Sequence, residues 1–245
     1  MHMQKSTTTI QYPLDNDIMF ALVMNDAELC RGLLERIFPG RKIRMLKVCD
    51  GSDVEVQNTI ITGMISKSVR LDVLFEDEDS LYSIEMQRFD DSALPKRGRY
   101  YASAMDIDQL RKGDEYKELK KNYVIFICTF DYYGMEEPIY FFEKYDVKKS
   151  LPYGDGTFTI ILNTTCPIEK VPNPLKEFFG YVRSQETEGN DPFIGQIHQM
   201  VAELNGRKEI EQIMTLEEEL DVRYSIGKKE GREDEKKRHC TQDEG

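Results

Sequence analysis

The sequence predicts an α/β sandwich, a mixed β-sheet with helices on both faces, and three observations carry the prediction. Two period-2 runs, Val69 to Phe75 and Leu81 to Phe89, flank the acidic tetrad Asp77–Ser80. Such alternation reads as an antiparallel hairpin of two half-buried strands. A helical pattern follows from Ser92 to Lys112. Then Asn122 to Phe130 is an almost unbroken apolar run, the signature of a strand buried on both faces. A hairpin, a crossover helix and a buried strand in that order make a sheet with both antiparallel and parallel neighbours.

The elements can be justified in turn. Residues 1–13 are polar, Thr-rich and end at Pro13, which suits a flexible arm. Asp15, Asn16 and Asp17 are cap-type residues before the apolar run of a first helix. Asn25-Asp26 re-caps a second helix with Leu29, Cys30, Leu33, Leu34, Ile37 and Phe38 on one stripe, and Pro39-Gly40 stops it. Arg41 to Asp50 reads as a strand. Residues 52–67 alternate weakly, fitting a strand or a short helix, and Glu55 lies among them. In the helix from Ser92 to Lys112 the stripe is Tyr100, Ala104, Ile107 and Leu110, and Gly113 is the residue expected to close it. Ile139–Tyr145 and Thr157–Leu162 read as further strands. From Asn173 onward prolines punctuate short helices. Ile213, Leu216, Leu220 and Tyr224 then form a narrow seam, suited to the main domain or to a homo-oligomer through this C-terminal helix. Beyond Gly227 the chain is highly charged, as solvated tails are. The domain reading is therefore 1–13 arm, 14–170 α/β domain, 171–226 helical extension and 227–245 tail.

Composition narrows the function classes. The 245 residues are 40% hydrophobic with no Trp, enough to bury a core as one domain. No apolar run approaches the ~20 residues that span a bilayer and no charged-then-apolar leader precedes the first helix, so a cytoplasmic protein without a membrane partner is expected. Five scattered cysteines, never spaced as CxxC, argue against a disulfide framework and a zinc site. With three histidines, a His-based catalytic site is not indicated. The net charge of −12 counts against strong nucleic-acid binding, leaving only a weak or partner-assisted DNA partner open, because affinity for nucleic acid rests on Lys and Arg neutralising phosphates. Two local basic patches stand out, Lys96 with Arg97 and Arg99, and Arg41 with Lys42 and Arg44.

The sharpest chemistry lies in the hairpin. With the tetrad as a four-residue loop, Phe75 pairs with Tyr82, Val73 with Ile84 and Leu71 with Met86. The same register sets Asp72 across from Glu85 and Arg70 across from Gln87. Directly opposed carboxylates destabilise a sheet, and a divalent ion between them removes that cost. Hard oxygen ligands select Mg²⁺ or Mn²⁺ over zinc. The same alternation is also satisfied by solvated carboxylates on the wet face of an ordinary hairpin.

The strings KSVRLDV and YSIEMQ, followed by RGRYYAS and later GDEY, resemble the PD-(D/E)XK nuclease family transposases. These are bacterial proteins related to recombination-promoting nucleases and YhgA-like transposases. The resemblance runs from about Asp15 to Tyr145. It implies a restriction-endonuclease-like fold and Mg²⁺- or Mn²⁺-dependent hydrolysis of DNA phosphodiesters in transposition or recombination. It further implies Asp72 and Glu85 as metal ligands, with the Met86 carbonyl as another. Asp17, within D-I-M-F, is either a further acidic ligand or only a helix cap. Gln87 stands where the wider superfamily has Lys, as a catalytic residue able to orient water but carrying no charge. Arg99, in the RxYY string, and Arg97 are implied as substrate-binding residues or else form a solvated helix end. The alternative is a catalytically weak or inactive nuclease-fold protein that acts as a protein-interaction module.

Overall fold

A computed structural model describes residues 10–44, 47–48, 58–60, 69–71, 73–90, 92–110, 112–187 and 189–215. Two helices open the chain, α1 (Asp17–Met24) and α2 (Ala27–Ile37). The side chain of Asn16 caps α1 by accepting from Met19 N–H at 2.9 Å, and Asp26 caps α2 by accepting from Glu28 and Leu29 N–H at 3.0 Å each. As expected, Leu29, Cys30, Leu33, Leu34 and Ile37 form the buried stripe of α2. Gly40 turns the chain away with φ of +85°, a conformation only glycine enters without strain.

The strands are β1 (Lys47–Val48), β2 (Asn58–Ile60), β3 (Val69–Leu71), β4 (Val73–Glu76), β5 (Ser80–Gln87), β6 (Lys121–Cys128), β7 (Ile139–Phe142) and β8 (Thr157–Asn163). Helix α3 (Leu94–Gln109) joins β5 to β6, while α4 (Asn173–Ser184) and α5 (Pro192–Asn205) follow β8. The main sheet runs β1-β4-β5-β6-β8-β7, so five strands of four or more residues are extended by the two-residue edge β1. Strands β5, β6 and β8 are mutually parallel; β4 and β7 run antiparallel to their neighbours. This is the mixed sheet expected from hairpin, crossover and buried strand.

Several expectations are corrected. The strand anticipated over Arg41–Asp50 reduces to Lys47–Val48 among the described residues. Asp72 lies outside the described residues; before it Val69–Leu71 pairs with Asn58–Ile60, so that Leu71 faces Asn58 and Arg70 faces Thr59, and after it Val73–Glu76 pairs with β5. Within the hairpin, Phe75 pairs with Tyr82 and Val73 with Ile84, as predicted. Its loop is tighter than four residues, because Asp77 N–H donates to the Ser80 carbonyl at 2.9 Å. The Asp77 carboxylate holds the turn by accepting from Asp79 N–H at 3.1 Å and the Tyr82 hydroxyl at 2.9 Å. Nor is β5 half-buried. Parallel pairing with β6 puts it inside the sheet, and every residue from Ser80 to Met86 is buried.

Helix α3 also presents an unexpected face. Tyr100 and Ile107 of the predicted stripe are exposed, at 40% and 63%. The packed residues are Leu94, Gly98, Ala102, Ala104 and Met105. They lie on Leu74, Leu81, Val124, Phe126, Cys128 and Ile161 of the sheet. Bulk comes from the sheet and smallness from the helix, which a search for large apolar residues misreads. Gly113 lies in a turn past the end of α3, whose C-cap is Leu110. On the opposite sheet face α1 lies against β5, and α2 packs on α4. The chain divides into two compact units, Ile10–Val201 and a second made of 1–9 with 202–245. The described residues of the second hold the end of α5 and a helical stretch over 208–215. Among the described residues, no helix is long and apolar enough to cross a membrane.

Candidate active site

The site is built at the C-terminal end of β5. Described β4 pairing ends at Val73–Ile84, leaving Glu85, Met86 and Gln87 at the open end of the hairpin. Glu85 and Gln87 share the α3-facing side of the strand by period 2. Glu85 is buried, at 1% exposure. Arg97, in the second turn of α3, reaches both. Its Nη2 donates to Glu85 Oε2 at 2.7 Å, and its Nη1 donates to Gln87 Oε1 at 2.7 Å. The other end of the amide, Gln87 Nε2, donates to Glu85 Oε2 at 3.2 Å and to the Met86 carbonyl at 3.1 Å. The direction of that carbonyl follows from the strand: Gln87 O accepts from Thr129 N–H at 3.0 Å on the β6 side. Successive carbonyls alternate, so Met86 O points to the β4 side.

Two hard oxygens therefore converge on one point, where an amide donor now sits. Hard oxygens of this kind suit a divalent ion such as Mg²⁺ or Mn²⁺, and the pair fits one as a partial ligand set. Among the described residues no group of three or more His, Cys, Asp or Glu side chains completes it.

Of the residues singled out in the sequence, Glu85, Met86, Gln87 and Arg97 come together. Asp72 and Glu55 lie outside the described residues. Asp17, itself exposed, opens the first turn of α1, where its Oδ1 accepts from Ile18 N–H at 2.9 Å; the cap is Asn16. Arg99 is exposed on α3, so of the two arginines it is Arg97 that contacts the carboxylate. The second basic patch is committed elsewhere: Arg41 donates to Asp79 at 2.7 Å and Ser80 at 2.6 Å, and Arg44 pairs with Glu78 at 3.4 Å.

Sequence reasoning missed two features. The Tyr101 hydroxyl accepts from Arg97 Nη2 at 3.1 Å, and its ring lies 5.5 Å from the guanidinium carbon. The i, i+4 spacing of Arg97 and Tyr101 beside Gly98 and Ala102 was the available signal. Asp15 pairs with Arg88, one residue past Gln87, at 3.6 Å, and its buried Oδ1 has no hydrogen-bond partner among the described residues.

A mixed sheet flanked by helices, with carboxylate and carbonyl at the open end of its central hairpin, defines an α/β protein of the restriction-endonuclease-like PD-(D/E)XK class. The chain belongs to the PD-(D/E)XK nuclease family transposases, whose sequence profile matches residues 19–150, more than half its length. No curated protein and no solved structure matches it. Membership supports a nuclease- or transposase-like function acting on DNA, and nucleases of this class are generally dependent on divalent metal.

Proposed function

We propose that the chain is a Mg²⁺- or Mn²⁺-dependent DNA endonuclease of transposition or recombination. Asp72, Glu85 and the Met86 carbonyl would hold the ion, with Asp17 as a further acidic ligand, and Gln87 stands beside them. Arg97 and Arg99 face the substrate. The observation that carries this reading is the convergence of Glu85 Oε2 and Met86 O on Gln87 Nε2, at 3.2 and 3.1 Å. Support also comes from the hairpin pairs Val73–Ile84 and Phe75–Tyr82, which are the pairs predicted from the sequence together with Asp72 opposite Glu85. A bound divalent ion supplies a water of lowered pKa and neutralises charge at the phosphate. In the hydrolysis, the water oxygen bonds to phosphorus and the bond from phosphorus to the leaving sugar oxygen breaks. The water's proton ends on that leaving oxygen, giving a phosphate monoester and an alcohol. Burial of Glu85 keeps its carboxylate dry and fixed, which strengthens what it holds.

The test is nicking of supercoiled DNA in Mg²⁺ or Mn²⁺ by the full chain beside Asp72→Ala and Glu85→Gln. Cleavage by the wild type, lost in both variants and unsupported by Zn²⁺, is the expected result. A wild type inert on supercoiled, linear and single-stranded DNA with both ions overturns the proposal in favour of a protein-interaction module on the same fold. Self-association through the C-terminal helix is part of the proposal. Residues 208–215 are helical, and Leu216, Leu220 and Tyr224 of the seam lie outside the described residues. Removing residues 207–245 should then dissociate an oligomer or, where the seam lies on the main domain, lower stability; an unchanged number of subunits and melting temperature assigns the segment no such role.

A further inference from the structure

We infer that Arg97 is the site's phosphate-stabilising cation, delivered from α3, and that Gln87 is the residue that positions it; this rests on the hydrolytic reading above. Strand β5 offers an uncharged amide at Gln87, so it brings no positive charge to the open end of the hairpin. The charge arrives from the helix instead. The guanidinium spans two acceptors that stand two residues apart on one face of β5, with 2.7 Å to Gln87 Oε1 and 2.7 Å to Glu85 Oε2. A rigid planar fork matches such a pair, whereas a point-like ammonium does not. The guanidinium carbon also lies over the rings of Tyr101 and Phe126, at 5.5 and 5.9 Å. These contacts fix its position before any ligand arrives, the condition under which a donor stabilises a transition state most.

Exposure decides between a purely structural pair and a working cation. The Glu85 side chain is 1% exposed and that of Arg97 is 30% exposed. A phosphate arriving from solvent therefore meets Arg97 first. The amide of Gln87 is committed at both ends, Oε1 to Arg97 and Nε2 to Glu85 and the Met86 carbonyl. Its part, through Oε1, is to bracket the guanidinium against β5, while Nε2 holds the two oxygens that the ion would take. Arg97 forms and breaks no bond. It donates N–H to the non-bridging phosphate oxygens as their negative charge grows.

The experiment uses the full chain with Mn²⁺ and supercoiled plasmid, comparing wild type, Arg97→Ala, Arg97→Lys and the double variant Arg97→Ala/Gln87→Lys. Calorimetric Mn²⁺ binding and melting temperature are recorded for each. Arg97→Ala should cleave about 100-fold more slowly or worse, the scale of losing one preorganised donor. Its Mn²⁺ affinity should be no weaker than that of the wild type, since a competitor for Glu85 Oε2 is gone. Arg97→Lys should fall between the two. The double variant, with a cation restored on β5, should recover about tenfold or more over Arg97→Ala. Cleavage by Arg97→Ala at the wild-type rate overturns the inference. So does joint loss of Mn²⁺ binding and cleavage, which would leave Arg97 only a brace for Glu85, and so does a double variant no faster than Arg97→Ala. Failure of the hydrolytic reading has a different signature, a wild type that cleaves no DNA at all, and it removes this inference with it.

Discussion

Asp131 closes the loop that follows β6 with one carboxylate. It accepts from the N–H groups of Tyr133, Gly134 and Glu136 at 3.2, 3.0 and 2.7 Å, and from the Tyr140 hydroxyl at 3.0 Å. In the same loop, the Tyr132 hydroxyl donates to the Ser92 carbonyl at 3.2 Å, tying it to the start of the helix that carries Arg97. Partial burial pushes the Asp131 carboxyl up, but the Glu136 N–H, the Tyr140 hydroxyl and the Gly134 and Tyr133 N–H groups more than reverse this and hold it below the usual range. A depressed folded-state value means stabilisation that is complete above the unfolded carboxyl's pKa of about 3.9 and is lost as pH falls through the folded value. Asp131→Asn should therefore melt below the wild type near neutrality, with the gap closing in acid; a gap independent of pH would refute this. Cys128, facing Gln87 across the β5–β6 ladder, is different in kind. Burial first, then Asp90, push its thiol up to about 12, with Arg97 acting against them. Burial also raises Cys30 and Cys166. Since the thiolate is the reactive form, native-state alkylation mapped by mass spectrometry should spare all three; rapid labelling of Cys128 would contradict its placement.

At the scale of elements, α3 decides the site because of how closely it lies on the sheet. A Cβ placed on Gly98 would stand 3.3 Å from the Phe126 ring and 3.5 Å from Thr159. Ala102 and Ala104, 4% and 3% exposed, continue the small face. Close approach is what lets the second turn of the helix put Arg97 within hydrogen-bond distance of β5. Gly98→Leu should cost about 1–3 kcal/mol as overpacking, read as a lower urea midpoint at unchanged slope. It should also lower DNA cleavage by displacing Arg97. In Gly98→Ala, a helix-propensity gain of about 1 kcal/mol opposes the same contact, so the loss should be smaller. A Gly98→Leu protein with wild-type stability and cleavage would show that the helix does not need its close seat.

For the whole molecule the governing quantity is charge. A net charge of −12 repels DNA over the length of the chain, and many of the cations are already paired. Arg41 and Arg44 are held by the acidic hairpin turn, Arg36 by Asp191 and Lys120 by Glu76. Lys96, Arg97 and Arg99 on α3 form a basic patch that can face a phosphate backbone, Arg97 while paired to Glu85. Three contacts correspond to a slope of about −3 in log affinity against log salt concentration. Anisotropy titrations of a duplex without divalent ion should give that slope or a shallower one. A slope near −8, on the same counterion-release scale, would reveal an extended basic surface.

The α/β class, the caps of α1 and α2, the buried character of Asn122–Phe130 and the register of Phe75 on Tyr82 were all legible in the sequence. Each rests on local periodicity or on a side chain bonding its own neighbourhood, and those interactions are short in sequence. The same is true of Glu85 and Gln87 sharing one face, since a strand alternates whatever lies beside it. Tertiary structure alone decided that β5 is covered on both faces, that Val69–Leu71 has β2 as a neighbour, and that Arg97 and not Arg99 meets Glu85. These outcomes turn on which strand or helix arrives from elsewhere in the chain. Tyr100 and Ile107 looked like the packing stripe of α3 because they are large. The sheet beneath already supplied Phe126, so the face that fits is the one built from Gly98, Ala102 and Ala104, and that choice carried Arg97 onto the carboxylate.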